Sequence, residues 1–366
     1  MGAYLGMERS RAMQTALTRR LGMVHPIIQA PMAGTSTPGL AAAASNAGAL
    51  GSIAVGSVGS EEARLQIQAT RALTDGPFNV NVFCHDPAPA DEARNAAWID
   101  SLRPLFAGFG AEPPRELRDI YRSFLVDDAM LTVLLEERPA VVSFHFGLPD
   151  AGRIAALKGA GIVLLATATS TQEGRRAEAA GIDMVVAQGF EAGGHRGVFD
   201  PADDPCFATL PLTRLLVRDL DIPIIAAGGV MDGAGIAAAL CLGASGAQLG
   251  TAFVGCPESV AGPAYRAALS GPDAGRTRVS AVISGRPARG LENAFMRRAG
   301  ESRVAPYPFA YDLGKALNAA ATAQGDAGYM PNWAGQAAPL SRPVPAGELV
   351  RLLGDELQQS IGQLAS

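Results

Sequence analysis

The stretch IDMVVAQGFEAGGHRG, residues 182–197, decides the fold. An apolar run, Ile182 to Ala187, ends in Gln188, and the glycines Gly193 and Gly194 then carry the backbone to His195. A strand of this kind is apolar on both faces, which suits a parallel sheet covered by helices. Its polar end and glycine turn deliver an amide and an imidazole to a pocket. Seven further runs of strand length share the pattern: 26–32, 50–56, 78–83, 141–147, 162–169, 222–227 and 247–254. Between most of them lie helical patterns. Thr37-Pro38-Gly39 opens one that Gly48 closes, the punctuation of a capped helix. Others run over Ser60–Leu73, Asp150–Gly159, Thr171–Ala180, Leu212–Asp219 and Gly233–Leu242.

Eight β-α units predict an α/β fold of the (β/α)8 TIM-barrel type. An open doubly wound sheet is the competing reading. It is disfavoured because no G-x-G-x-x-G follows the first strand. The rhythm breaks at about 85–138, a charged segment with Pro104, Pro113 and Pro114 that reads as a helical insertion after strand 3. His85, at its start, is expected at the surface. Residues 1–22 read as an N-terminal extension or helix, in which Met7 or Met13 is an alternative start, and 23–263 as the barrel. Residues 264–366 read as a helical C-terminal region without strands that caps the barrel mouth, ending in a helix over Glu348–Ile361.

Composition narrows the function. Of 366 residues, 48% are hydrophobic and 18% charged, enough for a large core and too apolar for disorder. The net charge is −5 and no basic block occurs, so nucleic acid is not an expected partner. No apolar run reaches the roughly 20 residues of a membrane span, and no secretory h-region precedes the first strand. Cys84, Cys206, Cys241 and Cys256 form no C-x-x-C pair, and no metal site is expected. We read them as reduced and mostly buried, in keeping with a cytoplasmic protein.

In a barrel of this type the site lies at the carboxyl ends of the strands. The groups delivered there are Met32 and Gly34, Asn81, His145, Thr167 and Thr169, Gln188 and His195, Gly228 and Gly229, and Gln248, Gly250 and Thr251. Each alone reads as a turn or core residue; gathered at one rim they make a ligand site. The glycines after strands 7 and 8 fit a phosphate, which backbone N–H groups and a helix N-terminus can hold. Of the four histidines, His25 falls at the bottom, where a structural role is expected. His145 and His195 fall at the top, where His195 is a candidate acid or base. Tyr307, Tyr311 and Lys315 recur at i, i+4 and i+8 and would share one helix face. Over the barrel mouth they would attract a small anion.

Taken together, these residues resemble the nitronate monooxygenase (2-nitropropane dioxygenase) family, class I. The resemblance rests on 26–34 (PIIQAPMAG), 78–81 (FNVN), 144–147 (FHFG), 188–197 (QGFEAGGHRG), 227–229 (AGG) and 248–251 (QLGT), with Tyr307, Tyr311, Lys315 and 333–336 (WAGQ). It extends over nearly the whole chain from about Met13. It implies an FMN-binding TIM barrel, with flavin contacts at Ala30, Pro31, Met32, Ala33, Asn81, Gln188, Gly193, Gly194, Gly228, Gly229, Gln248, Leu249, Gly250 and Thr251. It implies His195 as the catalytic residue and His145, Tyr307, Tyr311 and Lys315 as the substrate pocket. The implied reaction is oxidation of a small anionic alkyl nitronate, such as propionate 3-nitronate, by O2. An FMN-dependent NAD(P)H reductase on the same barrel is the alternative, and a homodimer is compatible with either. Whether His195 works as a neutral base or as a protonated anion stabiliser is left open by the sequence.

Overall fold

The structure is a computed structural model that describes residues 13–88 and 91–364. The segment before Met13, with its alternative start at Met7, lies outside the described residues.

Parallel strands β1 (Ile27–Gln29), β2 (Gly51–Ala54), β3 (Phe78–Phe83), β4 (Val141–His145), β5 (Val163–Ala168) and β6 (Met184–Gln188) succeed one another along the chain. A two-residue strand, β7 (Gly194–His195), stands outside the barrel, and β8 (Ile224–Ala227) and β9 (Gly246–Leu249) complete it. The sheet order is β1-β9-β8-β6-β5-β4-β3-β2. It closes through a single bridge, Ile28 to Leu50, so this is the expected (β/α)8 TIM-barrel architecture. At that seam Gln29, fully buried, does what a longer ladder would. Its Oε1 accepts from Ser52 N at 2.8 Å, and its Nε2 donates to Ser36 Oγ at 3.1 Å and to the Ala30 carbonyl.

The helices are α1 (Ala16–Leu21), α2 (Pro38–Asn46), α3 (Ser60–Arg71), α4 (Glu92–Ala107), α5 (Asp128–Glu137), α6 (Ala151–Gly159), α7 (Thr171–Ala179), α8 (Thr209–Asp219), α9 (Gly233–Cys241), α10 (Thr251–Val254), α11 (Pro263–Ser270), α12 (Ala294–Arg298), α13 (Phe309–Ala323) and α14 (Ala346–Leu364). Most begin as their sequences direct: Thr37, Asp150, Ser170 and Asp232 each cap a helix by accepting from a first-turn N–H. Among the described residues no helix is long and apolar enough to cross a membrane.

The period of two along each strand sorts the core. Val185 and Ala187 pack outward with Leu212 and Leu216 of α8. Val186 turns inward, into a cluster with Ile28, Leu165 and Ile225 that α1 reaches through Leu17. That cluster fills the barrel below the site and leaves the upper layer open.

Several expectations need correction. The eighth run stops at Leu249, because Gly250 turns the chain into α10; Phe253 and Val254 are helical. The first run is a strand only over Ile27–Gln29, since Pro31 follows within two residues and cannot donate to a ladder. The C-terminal region is not strand-free. β10 (Thr277–Ser280) pairs antiparallel with β11 (Ala288–Leu291), and β11 pairs antiparallel with β7. The terminal helix is longer than expected and does not cover the mouth: Leu349, Val350, Leu353 and Leu357 of α14 pack with Leu40 of α2 and Ile236 of α9. Because β9 lies between β1 and β8, α14 there occupies the place of the eighth barrel helix. Of the cysteines, all free, Cys84 and Cys256 are buried but Cys206 and Cys241 are exposed.

Candidate active site

A cavity of about 330 Å3 opens at the carboxyl ends of the barrel strands. That volume lies within the range of small-molecule sites. The sequence-predicted groups Ala30, Pro31, Met32, Ala33, Asn81, His145, Gln188, Gly193, Gly194, His195, Gly228, Gly229, Gln248, Gly250, Thr251, Tyr307, Tyr311 and Lys315 all line it. Leu249 does not; it is buried with the helices outside the barrel. Thr167 lines the cavity but Thr169 is fully buried, its Oγ1 donating to Glu173 Oε2 at 2.8 Å.

The loop from Gln188 to Gly197 is pinned from three directions. Arg196 is wholly buried: its Nε and Nη2 donate to Asp204 at 2.7 and 3.1 Å, and its Nη1 donates to the carbonyls of Gln188 and Gly189 at 3.1 and 2.8 Å. The guanidinium holds the Asp204 carboxyl below the usual range against the opposing effect of burial. Glu191 Oε2 accepts from Thr209 N and Oγ1, both at 2.8 Å, and Arg289 donates from Nε and Nη2 to the Phe190 carbonyl at 3.0 and 2.8 Å. Gln188 Oε1 accepts from Gly197 N at 2.7 Å, and its Nε2 donates to the His195 carbonyl at 3.0 Å. Gly193 is needed for close approach, since a Cβ there would lie 2.5 Å from Gly335 N; Gly194 is needed for its φ of +79°.

The two upper histidines are fixed differently. His145, the last residue of β4, has Nε2 3.3 Å from the His195 carbonyl and Nδ1 3.1 Å from Thr167 Oγ1. A carbonyl only accepts, so Nε2 carries the proton and Nδ1 accepts from the threonine. His195 has Nε2 2.9 Å from Ser284 Oγ. It stands among aromatic rings, 5.2 Å from Trp333, 5.7 Å from Phe146 and 5.9 Å from both Tyr307 and Tyr311 between centroids. Both histidines keep some surface, and it faces the enclosed cavity. Desolvation there pushes His195 down to about 3 and His145 down to about 4, and the Arg286 cation adds to both shifts. Arg286 is itself buried and makes no ion pair among the described residues; its guanidinium carbon lies 4.4 Å from the Phe146 ring centroid. Phe146 adopts a positive φ of 76°, rare for a residue with a side chain, and so wedges its ring between Arg286 and the histidines.

Tyr311 and Lys315 lie one turn apart on α13, as the spacing predicts. Tyr307 does not share their helix: it precedes α13, joined to Pro308 by a cis peptide, and reaches the cavity from the entering loop. Lys315 is exposed at the mouth, with Nζ 4.7 Å from the Tyr121 centroid and 5.4 Å from that of Tyr311. Tyr311 and Tyr121 are both pushed up to about 12 by burial, so both phenols are neutral donors. His85, expected at the surface, is buried, its ring edge-on to Tyr307 at 4.9 Å. The insertion folds back over the mouth, and that reverses its exposure. His25 is buried at the opposite end, against Gly354 of α14.

Tyr121, Ser284 and Arg286 were not singled out by their sequence context. Tyr121 sits in an irregular charged segment, and Ser284 and Arg286 flank Gly285 in a turn without periodicity. Only the fold reveals that the first stretch meets Tyr307 and Tyr311 and that the second meets His195.

The fold and the cavity define an α/β-barrel enzyme with its site at the carboxyl ends of the strands. The nitronate monooxygenase family model matches residues 14–356. A nitronate monooxygenase from Paraburkholderia phytofirmans is 60% identical over 95% of this chain and 96% of its own length, and one from Pseudomonas aeruginosa is 56% identical over 94% and 100%. Among solved structures, a nitroalkane oxidase from Streptomyces ansochromogenes superposes with a TM-score of 0.88 at 41% identity, covering 96% of this chain and 100% of that one. FabK from Thermotoga maritima follows with a TM-score of 0.75 at 30% identity, covering 96% and 99%. The chain belongs to the nitronate monooxygenase family, and these relatives make it an oxidoreductase.

Proposed function

We propose that the protein is an FMN-dependent nitronate monooxygenase that oxidises small alkyl nitronates, such as propionate 3-nitronate, with O2 to carbonyl compounds and nitrite. The observation that carries this reading is the meeting of three features in one cavity: a glycine rim, a neutral histidine and a lysine that makes no ion pair among the described residues. The donor set fits FMN. Gly229, Gly250 and the start of α10 offer backbone N–H groups on the β8–β9 side, where a phosphate is at home. Asn81, Gln188 and Gln248 offer amides along the wall, and Ala30 to Met32 offer an apolar face. When bound, FMN would supply the electron transfer between nitronate and oxygen.

The protein's own groups supply binding and proton handling. Lys315 and the neutral phenols of Tyr311 and Tyr121 draw the anion to the mouth. The aromatic wall of Phe146, Tyr307 and Trp333 around His195 excludes water, which strengthens these interactions. His195, neutral at pH 7, takes a proton from a nitroalkane that arrives un-ionised, forming the nitronate in place.

An absorbance spectrum followed by oxygen uptake tests the reading. The purified protein is expected to show a flavin band and to consume O2 with propionate 3-nitronate in the absence of NAD(P)H. Rapid flavin reduction by NADH or NADPH, with no oxygen uptake on the nitronate, would establish the reductase alternative instead.

A further inference from the structure

Ser284 lies wholly buried behind His195, in the turn that leads into β11. Its hydroxyl has three neighbours: His195 Nε2 at 2.9 Å, the Arg286 carbonyl at 3.1 Å and the Arg286 N–H at 3.4 Å. A hydroxyl donates once and accepts twice. The Arg286 carbonyl can only accept, and Ser284 is the donor it meets. Giving the hydroxyl proton to His195 would leave that buried carbonyl unpaired, at the cost of an unsatisfied polar group. The arrangement that satisfies every atom has Ser284 donating to the Arg286 carbonyl and accepting from the Arg286 N–H and from His195 Nε2–H.

We propose that Ser284 is a positioning residue that fixes His195 in its Nε2–H form, so that the nitrogen left to the cavity, Nδ1, carries the lone pair. This deepens the proposed function and rests on it for the chemistry, though not for the tautomer. Among the described residues His195 Nδ1 has no hydrogen-bond partner, whereas Nε2 is held. Burial, with a smaller contribution from the Arg286 cation on the same turn, keeps the resting ring singly protonated, so that Nδ1 is free of a proton before substrate arrives. The step this enables is a proton transfer. The α C–H bond of a neutral nitroalkane breaks, its electron pair becomes the C=N π bond of the nitronate, the N=O π pair moves onto oxygen, which carries the negative charge, and the proton forms N–H at Nδ1. The resulting imidazolium keeps its Nε2–H on Ser284. A preformed nitronate has no such proton to lose, so the two substrate types depend on Ser284 to different degrees.

Two measurements test this. The chain has four histidines, so 15N-histidine NMR resolves each ring, with His195→Asn assigning its signal. His195 is expected to show a protonated Nε2 and an unprotonated Nδ1 at pH 7, and Ser284→Ala is expected to give a mixture of tautomers. Ser284→Thr, which keeps the hydroxyl, is expected to retain the wild-type pattern. In kinetics, Ser284→Ala should lower kcat on nitroethane by about 10- to 100-fold with little change in KM. On propionate 3-nitronate, which has no proton to lose, the fall in kcat/KM should be at least about tenfold smaller than the fall on nitroethane. A wild-type His195 protonated at Nδ1, an unchanged tautomer in Ser284→Ala, or an equal loss on both substrates would overturn the proposal. Wild-type protein that oxidises neither substrate would instead overturn the proposed function, and the NMR arm would still decide the tautomer.

Discussion

Lys315 is a cation without a carboxylate: among the described residues it makes no ion pair, and its Nζ rests over the rings of Tyr121 and Tyr311. Aromatic faces hold an ammonium without neutralising it, so its charge remains available to an anion at the mouth. Lys315→Met is therefore expected to raise KM for propionate 3-nitronate about tenfold, roughly 1.4 kcal/mol of binding, while KM for neutral nitroethane stays within about twofold. Steady-state oxygen uptake on the two substrates checks this, and an equal rise on both would remove Lys315 from anion recognition. At this scale the sequence is legible where chemistry coincides with strand ends. His145 and Gln188 stand out because each closes an apolar run, and His195 because a glycine pair just beyond such a run leads to it. Arg196 is visible as a residue but not as a role. Only the fold brings its guanidinium to Asp204, eight residues on, and to the Gln188 carbonyl behind it. Tyr121 and Ser284 carry no such signal, because their partners are about 190 and 90 residues away along the chain.

Among elements, the barrel strands were legible because burial on both faces leaves uninterrupted apolar runs. β10 and β11 were not. Each has four residues, and they carry Arg278 and Arg289 where a buried strand would carry Val or Ile. Their pairing with β7 is what turns the Gly193-Gly194-His195 corner into ordered structure, with Ala288 opposite His195 and Arg289 opposite Gly194. The corner is pressed from the other side by the backbone of Ala334 and Gly335. Gly193→Ala would place a Cβ 2.6 Å from the Ala334 carbonyl carbon, and backbone cannot yield as a side-chain tip does. The expected result is a destabilisation of about 1–3 kcal/mol together with loss of bound flavin on gel filtration. Gly159→Ala, in α6 with nothing within 4 Å of the added carbon, is the control and is expected to leave Tm unchanged or slightly raised. Equal Tm values for the two variants would mean that the corner has room the packing denies.

Across the whole molecule, the sequence conveyed the number of β-α units but not how the ring closes. Closure depends on Gln29, a polar residue inside an apolar run, and on α14, which returns from the end of the chain to cover β9. The same enclosure has a consequence for stability. His85, His145 and His195 are held neutral by burial, at about 4, about 4 and about 3, and His25 is shifted down in the same direction. Unfolded, each would titrate near 6.5. Below that value the unfolded chain binds more protons than the folded one, so stability falls as pH falls, and the loss continues until the folded values are reached. The slope is at most about 1.4 kcal/mol per pH unit for each histidine. Above about pH 7 these groups contribute no pH dependence. Between pH 6.5 and 5.5 the carboxylates are still largely ionised in both states, so this window reports the histidines. Urea midpoints measured across it are expected to fall steadily for the wild type. His85→Phe keeps an aromatic ring against Tyr307 and removes an imidazole whose Nδ1 has no partner, so its slope should be shallower by about one proton's worth. A slope identical to that of the wild type would show that His85 charges freely in the folded protein, and that the cover over the barrel mouth opens to water.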